Sequence, residues 1–425
     1  MFFNDYEYFE TTYRSVINQT WQNFEWIIVN DGSTNFDAVA FIESLPQRTK
    51  KIKVVSNSNN QGEAAARNMA IAEAQGKYLL FVNLVDIIDP LYVEKCLLFL
   101  ETHPEFSFVN SYSAVFQAQE YWWNHGFNKP AKLIQDNFVK GQLLYRKADF
   151  DELGGFDNEL KCHADWERWL KAIANHQKGW TIPEYLECSR CTTFAAPAFE
   201  QHRSESKPAK ELIQSRYREF FTSTPPQEIS LNGESLNQQQ LQLKIDAQNS
   251  IQYSNTNKNL LFFFSSLNSD IDKCNLELIT KLEQQDYKIT AIATTKERAS
   301  KSFYNVTPDI FHLPNYLDEA YWLAFTRYII EYRQIDTIII SHVDIAYYFL
   351  PLLRAEFPQV AFIDLGYNNS NFSSNGNIKS SLFSKYLDRQ VVFSPSLDNI
   401  VDENSKLICS SNVEIEAIFT NAGRS

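Results

Sequence analysis

The chain has 425 residues, more than one hydrophobic core usually supports, so two domains are expected. Hydrophobic residues make up 44% and aromatic residues 14%; a formal charge of −13 with no long Lys/Arg stripe excludes a nucleic-acid footprint but leaves room for a nucleotide as a small ligand. No apolar run approaches the roughly 18 residues of a membrane span and no basic-then-apolar leader follows Met1, so a cytoplasmic chain is expected, with its six Cys as reduced thiols and Cys188-x-x-Cys191 an incidental pair.

Asn4 with Glu7 three residues on has the spacing of a capping box and predicts a helix through about Asn18, with Tyr6, Phe9, Tyr13, Val16 and Ile17 as its apolar residues. The run Trp26–Asn30 predicts a strand covered on both faces. Asp31 then stands at the carboxyl rim, where open α/β sheets bind ligands, Gly32 lets backbone approach closely, and Ser33 or Thr34 is placed to cap the next element. A polar helix over about Phe36–Leu45 and a strand over Ile52–Ser56 come next. The alanine-rich segment from Gln61 to Ala70 opens a helix with Gly76 as its C′ residue; Tyr78–Val82 reads as a fully buried strand, and Asp89-Pro90 starts another helix.

This alternation predicts a doubly wound, mostly parallel α/β sheet over residues 1–222. A Gln/Asn/Ser-rich stretch over 223–258 predicts a linker. Residues 259–425 predict a second, Rossmann-like α/β domain: strands at Asn259–Phe264, Lys288–Ala293, Asp336–Ser341 and Val360–Asp364, a helix at Cys274–Gln285, and a polar loop from Tyr367 to Asn371.

Four segments in order carry a resemblance: Ser15-Val16-Ile17-Asn18-Gln19-Thr20-Trp21, then Asn23 through Thr34, then Gln61-Gly62 with Ala66-Arg67-Asn68, then Gly76-Lys77-Tyr78. Together they resemble the family-two glycosyltransferases of GT-A fold over roughly residues 1 to 200. The resemblance implies a nucleotide-sugar donor, UDP-linked, held by Asp31, Gly32, Ser33, Arg67, Asn68 and Asn83, with Asp31 and Arg67 on the base or diphosphate. The chemistry agrees, since a carboxylate accepts from a base N–H and a guanidinium matches phosphate oxygens. Gly154-Gly155-Phe156-Asp157 and His163-Ala164-Asp165-Trp166 resemble the family's Gly-Gly-Phe-Asp turn and the downstream acidic pair, which makes Asp165 the general base of an inverting transfer, with Ala164 where a glutamate is usual.

Two departures stand out. The family's Asp-x-Asp, whose second carboxylate binds Mn²⁺ or Mg²⁺, is here Asn83-Leu84-Val85; Val85 cannot coordinate a cation, and Asp86, the one remaining metal candidate, sits one residue along, where the pleat points it elsewhere. The family's central first strand is reduced to Met1, Phe2 and Phe3, which leaves neighbouring ladder groups unpaired at about 1–3 kcal/mol for each buried orphan. Either another segment fills the gap or the true start lies upstream.

The second domain resembles, more weakly, the N-terminal half of a GT-B glycosyltransferase, through Phe264-Ser265-Ser266-Leu267 after its first strand, the helix Leu276–Leu282 and Lys288-Ile289-Thr290. In that resemblance it binds an acceptor or partner. The implied activity is transfer of single sugars to a glycan, lipid or protein acceptor, in cell-wall or exopolysaccharide biosynthesis. The alternatives are a degenerate nucleotide- or glycan-binding protein without turnover, and an incomplete piece of a tandem glycosyltransferase.

Overall fold

The computed structural model describes residues 3–4, 7–117, 120–137, 139, 142–191, 197–231, 258–265, 270–296, 299–367, 382–393, 400–401 and 406–409. The chain divides into two compact units, Met1–Gly233 and Glu234–Ser425. Residues 232–257 of the expected linker and 368–371 of the polar loop lie outside the described residues, as does Leu267.

The first unit runs α1 (Phe9–Ile17), β1 (Trp26–Asp31), α2 (Phe36–Arg48), β2 (Ile52–Asn57), α3 (Glu63–Glu73), β3 (Tyr78–Phe81), β4 (Ile87–Ile88), α4 (Tyr92–Thr102), β5 (Phe108–Gln117), β6 (Tyr121–Trp123), β7 (Leu143–Arg146), α5 (Lys147–Glu152), α6 (Ala164–Ala174), β8 (Gly179–Cys191) and α7 (Pro197–Ser223). Strands β1 and β2 pair in parallel as a two-stranded sheet, Trp26 opposite Ile52 and Asp31 opposite Asn57. A six-stranded sheet has the order β3-β7-β5-β8-β4, with β6 on β5. Its long β5/β8 ladder is parallel and its other pairings are antiparallel.

The sheet therefore comes in two pieces. Among the described residues β1 pairs only with β2, and β3 only with β7. Strand β3 is half-buried rather than fully buried as its composition suggested. With one partner it has an edge, and an edge strand keeps part of its surface accessible.

Two local expectations change. Helix α1 begins at Phe9 with Tyr8 as an N-cap that makes no side-chain bond, so no capping box forms. Asn4 instead takes a left-handed φ of 55° and turns toward the β1–α2 connection. Gly76 is not a left-handed C′ residue, because α3 ends at Ala74 in an extended conformation that feeds β3.

An aromatic core packs α6 against the sheet: Phe108 lies 4.7 Å from Phe127 and 5.0 Å from Tyr145, and Trp169 contacts Phe156 at 6.5 Å. Helix α4 is buried nearly all round and carries Lys95, 2.8 Å from Glu184 of β8, both side chains sealed from water.

The second unit runs β9 (Asn259–Phe264), α8 (Asp270–Glu283), β10 (Lys288–Ala293), α9 (Lys301–Val306), β11 (Ile310–His312), α10 (Trp322–Tyr332), β12 (Thr337–Ser341), α11 (Asp344–Glu356), β13 (Ala361–Tyr367), β14 (Arg389–Phe393), β15 (Ile400–Val401) and β16 (Lys406–Cys409). Its sheet order is β11-β10-β9-β12-β13-β14-β16-β15, parallel except for the terminal β15/β16 pair. The first six strands of that order have the Rossmann winding, with the central β9 buried at every residue. No helix of the described residues is long and apolar enough to cross a membrane.

Breaking the buried Lys95–Glu184 pair should be costly because it strands a desolvated carboxylate. Lys95→Met is expected to destabilise the first unit by about 3–5 kcal/mol, and Lys95→Met with Glu184→Leu to recover most of that, as read from denaturant midpoints by tryptophan fluorescence.

Candidate active site

At the end of β1 the Asp31 carboxylate is 0% exposed. It accepts hydrogen bonds from Asn57 Nδ2 at 2.7 Å, from the Gln61 N–H at 3.0 Å and from the Gly62 N–H at 2.9 Å. Gly32 comes next with φ of 73°, and a Cβ there would meet the Asn59 backbone at 2.5 Å, so this turn requires glycine. Ser33 Oγ accepts from the Asn4 N–H at 3.0 Å. Asn4 Oδ1 accepts from the N–H groups of Thr34 and Asn35, both at 2.8 Å. Asn35, rather than Ser33 or Thr34, caps α2 by accepting from the Ala38 N–H at 3.1 Å.

Helix α3 presents two further candidates. Arg67 forms an ion pair with Glu63 at 2.7 Å, lies 3.4 Å from the exposed Asn83 Oδ1, and stacks over the Phe156 ring at 5.2 Å. Asn68 is a strut: its Oδ1 accepts from the Phe156 N–H at 2.8 Å, and its Nδ2 donates to the Phe156 carbonyl and to Asn158 Oδ1, each at 2.8 Å. A Cβ at Gly155 would stand 2.2 Å from Asn68 Oδ1, which explains the second glycine of that turn. The Gly-Gly-Phe-Asp turn is thus fastened to α3, and through Phe156 to Phe81 of β3 at 5.2 Å.

The turn Asn83–Asp86 after β3 does not suit a divalent metal. Asp86 is 3% exposed, and its oxygens accept from Asn83 Nδ2 at 2.9 Å, Gln142 Nε2 at 2.8 Å and the Arg190 N–H at 2.9 Å. Burial pushes its carboxyl above the usual carboxylate range, and pushes that of nearby Glu187 well above it. Val85 offers no side-chain ligand. A hard cation needs oxygens with free lone pairs, and those of Asp86 are already taken by protein donors. Among the described residues no group of three His, Cys, Asp or Glu could hold one.

Asp165 stands half-buried in the first turn of α6, after His163 at a left-handed φ of 60°. Its Oδ1 accepts from the Trp166 N–H at 2.8 Å, and its Oδ2 faces Asn137 Nδ2 at 3.4 Å. Glu167, two residues on, is buried and bonded to the Tyr217 hydroxyl of α7, so Asp165 is the acidic residue of this turn that remains partly open. The Cys188-x-x-Cys191 pair consists of two free thiols, and burial pushes the Cys188 thiol up.

Three contributors escaped sequence reasoning. Gln142 bridges Asn83, Asp86, Glu187 and the Tyr92 hydroxyl, Arg190 reaches back from β8 to the Asn83–Asp86 turn, and Asn137 faces Asp165. Each lies in a segment with no motif around it, so only tertiary pairing reveals it.

Residues 1–156 match the family model described as glycosyl transferase family 2. An uncharacterized glycosyltransferase of Methanocaldococcus jannaschii is 28% identical over 42% of this chain and 64% of its own length. An uncharacterized glycosyltransferase of Haemophilus influenzae is 31% identical over 28% of this chain and 36% of its own. This chain therefore spans from about a third to just under two thirds of those curated relatives. Among solved structures, S. aureus TarS 1-349 in complex with UDP-GlcNAc is 19% identical, covering 58% of this chain and 76% of that one at a TM-score of 0.41. A mannosyltransferase from Pyrobaculum calidifontis in complex with GDP-Man and Mn²⁺ is 12% identical, covering 53% of this chain and 74% of that one at a TM-score of 0.36.

The buried acids carry a pH signature. Their folded pKa values are raised, so the folded state favours the protonated forms, and their contribution to stability declines as pH rises from the unfolded values near about 4 through the folded ones. Glu187→Gln removes one of them. The stability of that variant relative to the parent should therefore increase as pH rises above about 4, as monitored by denaturant midpoints.

Proposed function

We propose that the first unit is the catalytic domain of an inverting glycosyltransferase that moves a sugar from a nucleotide-sugar, UDP as its carrier, to a hydroxyl of a glycan, lipid or protein acceptor. The observation that carries this reading is the assembly of three separate motifs around one guanidinium. Arg67 of α3 bonds Asn83 beyond β3 and covers Phe156 of the glycine turn, beside the connection that Asp31 shapes. A phosphate-matching group near the strands' carboxyl edge, where α/β sheets take nucleotides, supports this reading.

In this reading the Asp31 turn supplies a rigid backbone rim with Gly32 and Ser33, since the Asp31 carboxylate itself is enclosed by protein donors. Asn68 acts by holding the glycine turn, and Asn83 offers its exposed amide to the donor. Asp165 takes the acceptor hydroxyl's proton as that oxygen forms its bond to the anomeric carbon. The bond from that carbon to the diphosphate breaks on the opposite face, and a single displacement of this kind inverts the centre. Asn137 orients the carboxylate.

The free Cys96, Cys162, Cys188 and Cys191 fit a reducing cytoplasmic compartment. The second unit, with its Rossmann winding, serves acceptor or partner binding. The competing reading, a nucleotide-binding protein without turnover, draws on the substituted Asp-x-Asp.

Asp165→Asn separates the two. With Asp165 as base, the variant should lose about 10²–10⁴-fold in the rate of UDP release from UDP-sugar in the presence of acceptor, with UDP affinity unchanged by calorimetry. An unchanged rate removes Asp165 from the mechanism.

A further inference from the structure

The carbonyl of Val85, the residue standing where the family-implied metal ligand would be, accepts a hydrogen bond from Arg190 Nε at 3.1 Å. Arg190 lies near the end of β8 and is placed from several sides. Its backbone N–H donates to Asp86 Oδ1 at 2.9 Å, and its Nη1 donates to Gln117 Oε1 at 3.0 Å. Its guanidinium lies 4.2 Å from the Tyr8 ring centre and 4.7 Å from that of Phe116. Gln117 in turn donates to the Tyr8 hydroxyl at 3.1 Å, so the residues that hold Arg190 also hold one another.

This guanidinium is half-buried, and among the described residues it has no carboxylate partner; its Nη2 meets no acceptor there. Arg67, across the same turn, is already paired with Glu63. A partly desolvated cation with two aromatic faces against it and no counter-ion is held ready for an anion. Asp86 meets Arg190 through the backbone N–H and not through the guanidinium.

We infer that Arg190 is the cation that meets the donor's diphosphate, taking the place of a divalent metal at the Asn83–Asp86 turn. The inference rests on the reading of the first unit as a nucleotide-sugar transferase. The displacement leaves extra negative charge on the departing diphosphate, and something positive must receive it. A guanidinium does so with a planar fork matched to phosphate oxygens and needs no ionised carboxylates to hold it. Arg67 and Arg190 then flank the turn, one on the Asn83 side chain and the other on the Val85 carbonyl.

The test is calorimetry of UDP with the full chain in EDTA and again with Mn²⁺, alongside uridine binding by NMR. Expected for the parent is a UDP affinity that changes by less than about twofold when Mn²⁺ replaces EDTA. Arg190→Gln should weaken UDP by about tenfold or more while leaving uridine untouched, and Arg190→Lys should restore part of the loss. Uridine binding reports that the variant is folded; should the glutamine variant unfold, the lysine variant carries the test through a smaller loss confined to UDP. Unchanged UDP affinity in Arg190→Gln, or a tenfold gain with Mn²⁺ in the parent, overturns the assignment while leaving the transferase reading standing. A parent that binds neither UDP nor uridine overturns both.

Discussion

The Asp31 carboxylate, closed off from solvent, ties the end of β1 to the start of α3 through the N–H groups of Gln61 and Gly62. Asp31 satisfies two backbone donors at a helix start, the Gly62 N–H sharing it with Asn60 Oδ1, and an acidic acceptor there also complements the helix dipole. The position of α3 fixes Arg67 and Asn68 together. Asn68 clasps Phe156, Phe156 meets Phe81 and Trp169, and Trp169 lies one turn along α6 from Asp165. One buried acid thus begins a chain of contacts that reaches the candidate base. This also recasts the strand-end aspartate: its visible work is to set the rim on which a donor would rest.

Strands and helices were legible in the sequence wherever a short apolar run was bounded by turn residues. Trp26–Asp31, Asn259–Phe264 and Lys288–Ala293 fall where periodicity placed them, because a strand buried on both faces leaves an unambiguous signature. Ends and caps were less legible. Asn4 and Glu7 have capping-box spacing, yet Asn4 makes bonds some thirty residues away to Ser33, Thr34 and Asn35. A local motif competes there with a tertiary one, and the tertiary one satisfies more backbone groups. Gly76 likewise lost its capping role to the need for an extended path into β3.

The site divides along the same line. Arg67, Asn83 and Phe156 announce themselves by motif and meet in space. Gln142 and Arg190 carry no motif. Gln142 enters the site through the β3/β7 ladder, and Arg190 through the pairing of β8 with β4 and β5, separations of 56 and 104 residues from Asp86 that no local pattern encodes. Gln142 is well suited to its place: an amide donates to Asp86 and accepts from the Asn83 N–H at once, which neither a carboxylate nor an ammonium could do.

The absence of acid at position 85 and the presence of Arg190 belong to one electrostatic arrangement. The guanidinium already reaches the Val85 backbone, so an aspartate there would put a carboxylate within ion-pair range of it. Such a pair would capture the cation internally and leave less charge for an incoming phosphate. An apolar Val85 avoids this, and the oxygens of Asp86 and Glu187 are engaged by Asn83, Gln142 and the Arg190 N–H rather than by the guanidinium. In a chain whose formal charge is −13, a cation proposed to meet an anion depends as much on where neighbouring carboxylates point as on placing the arginine.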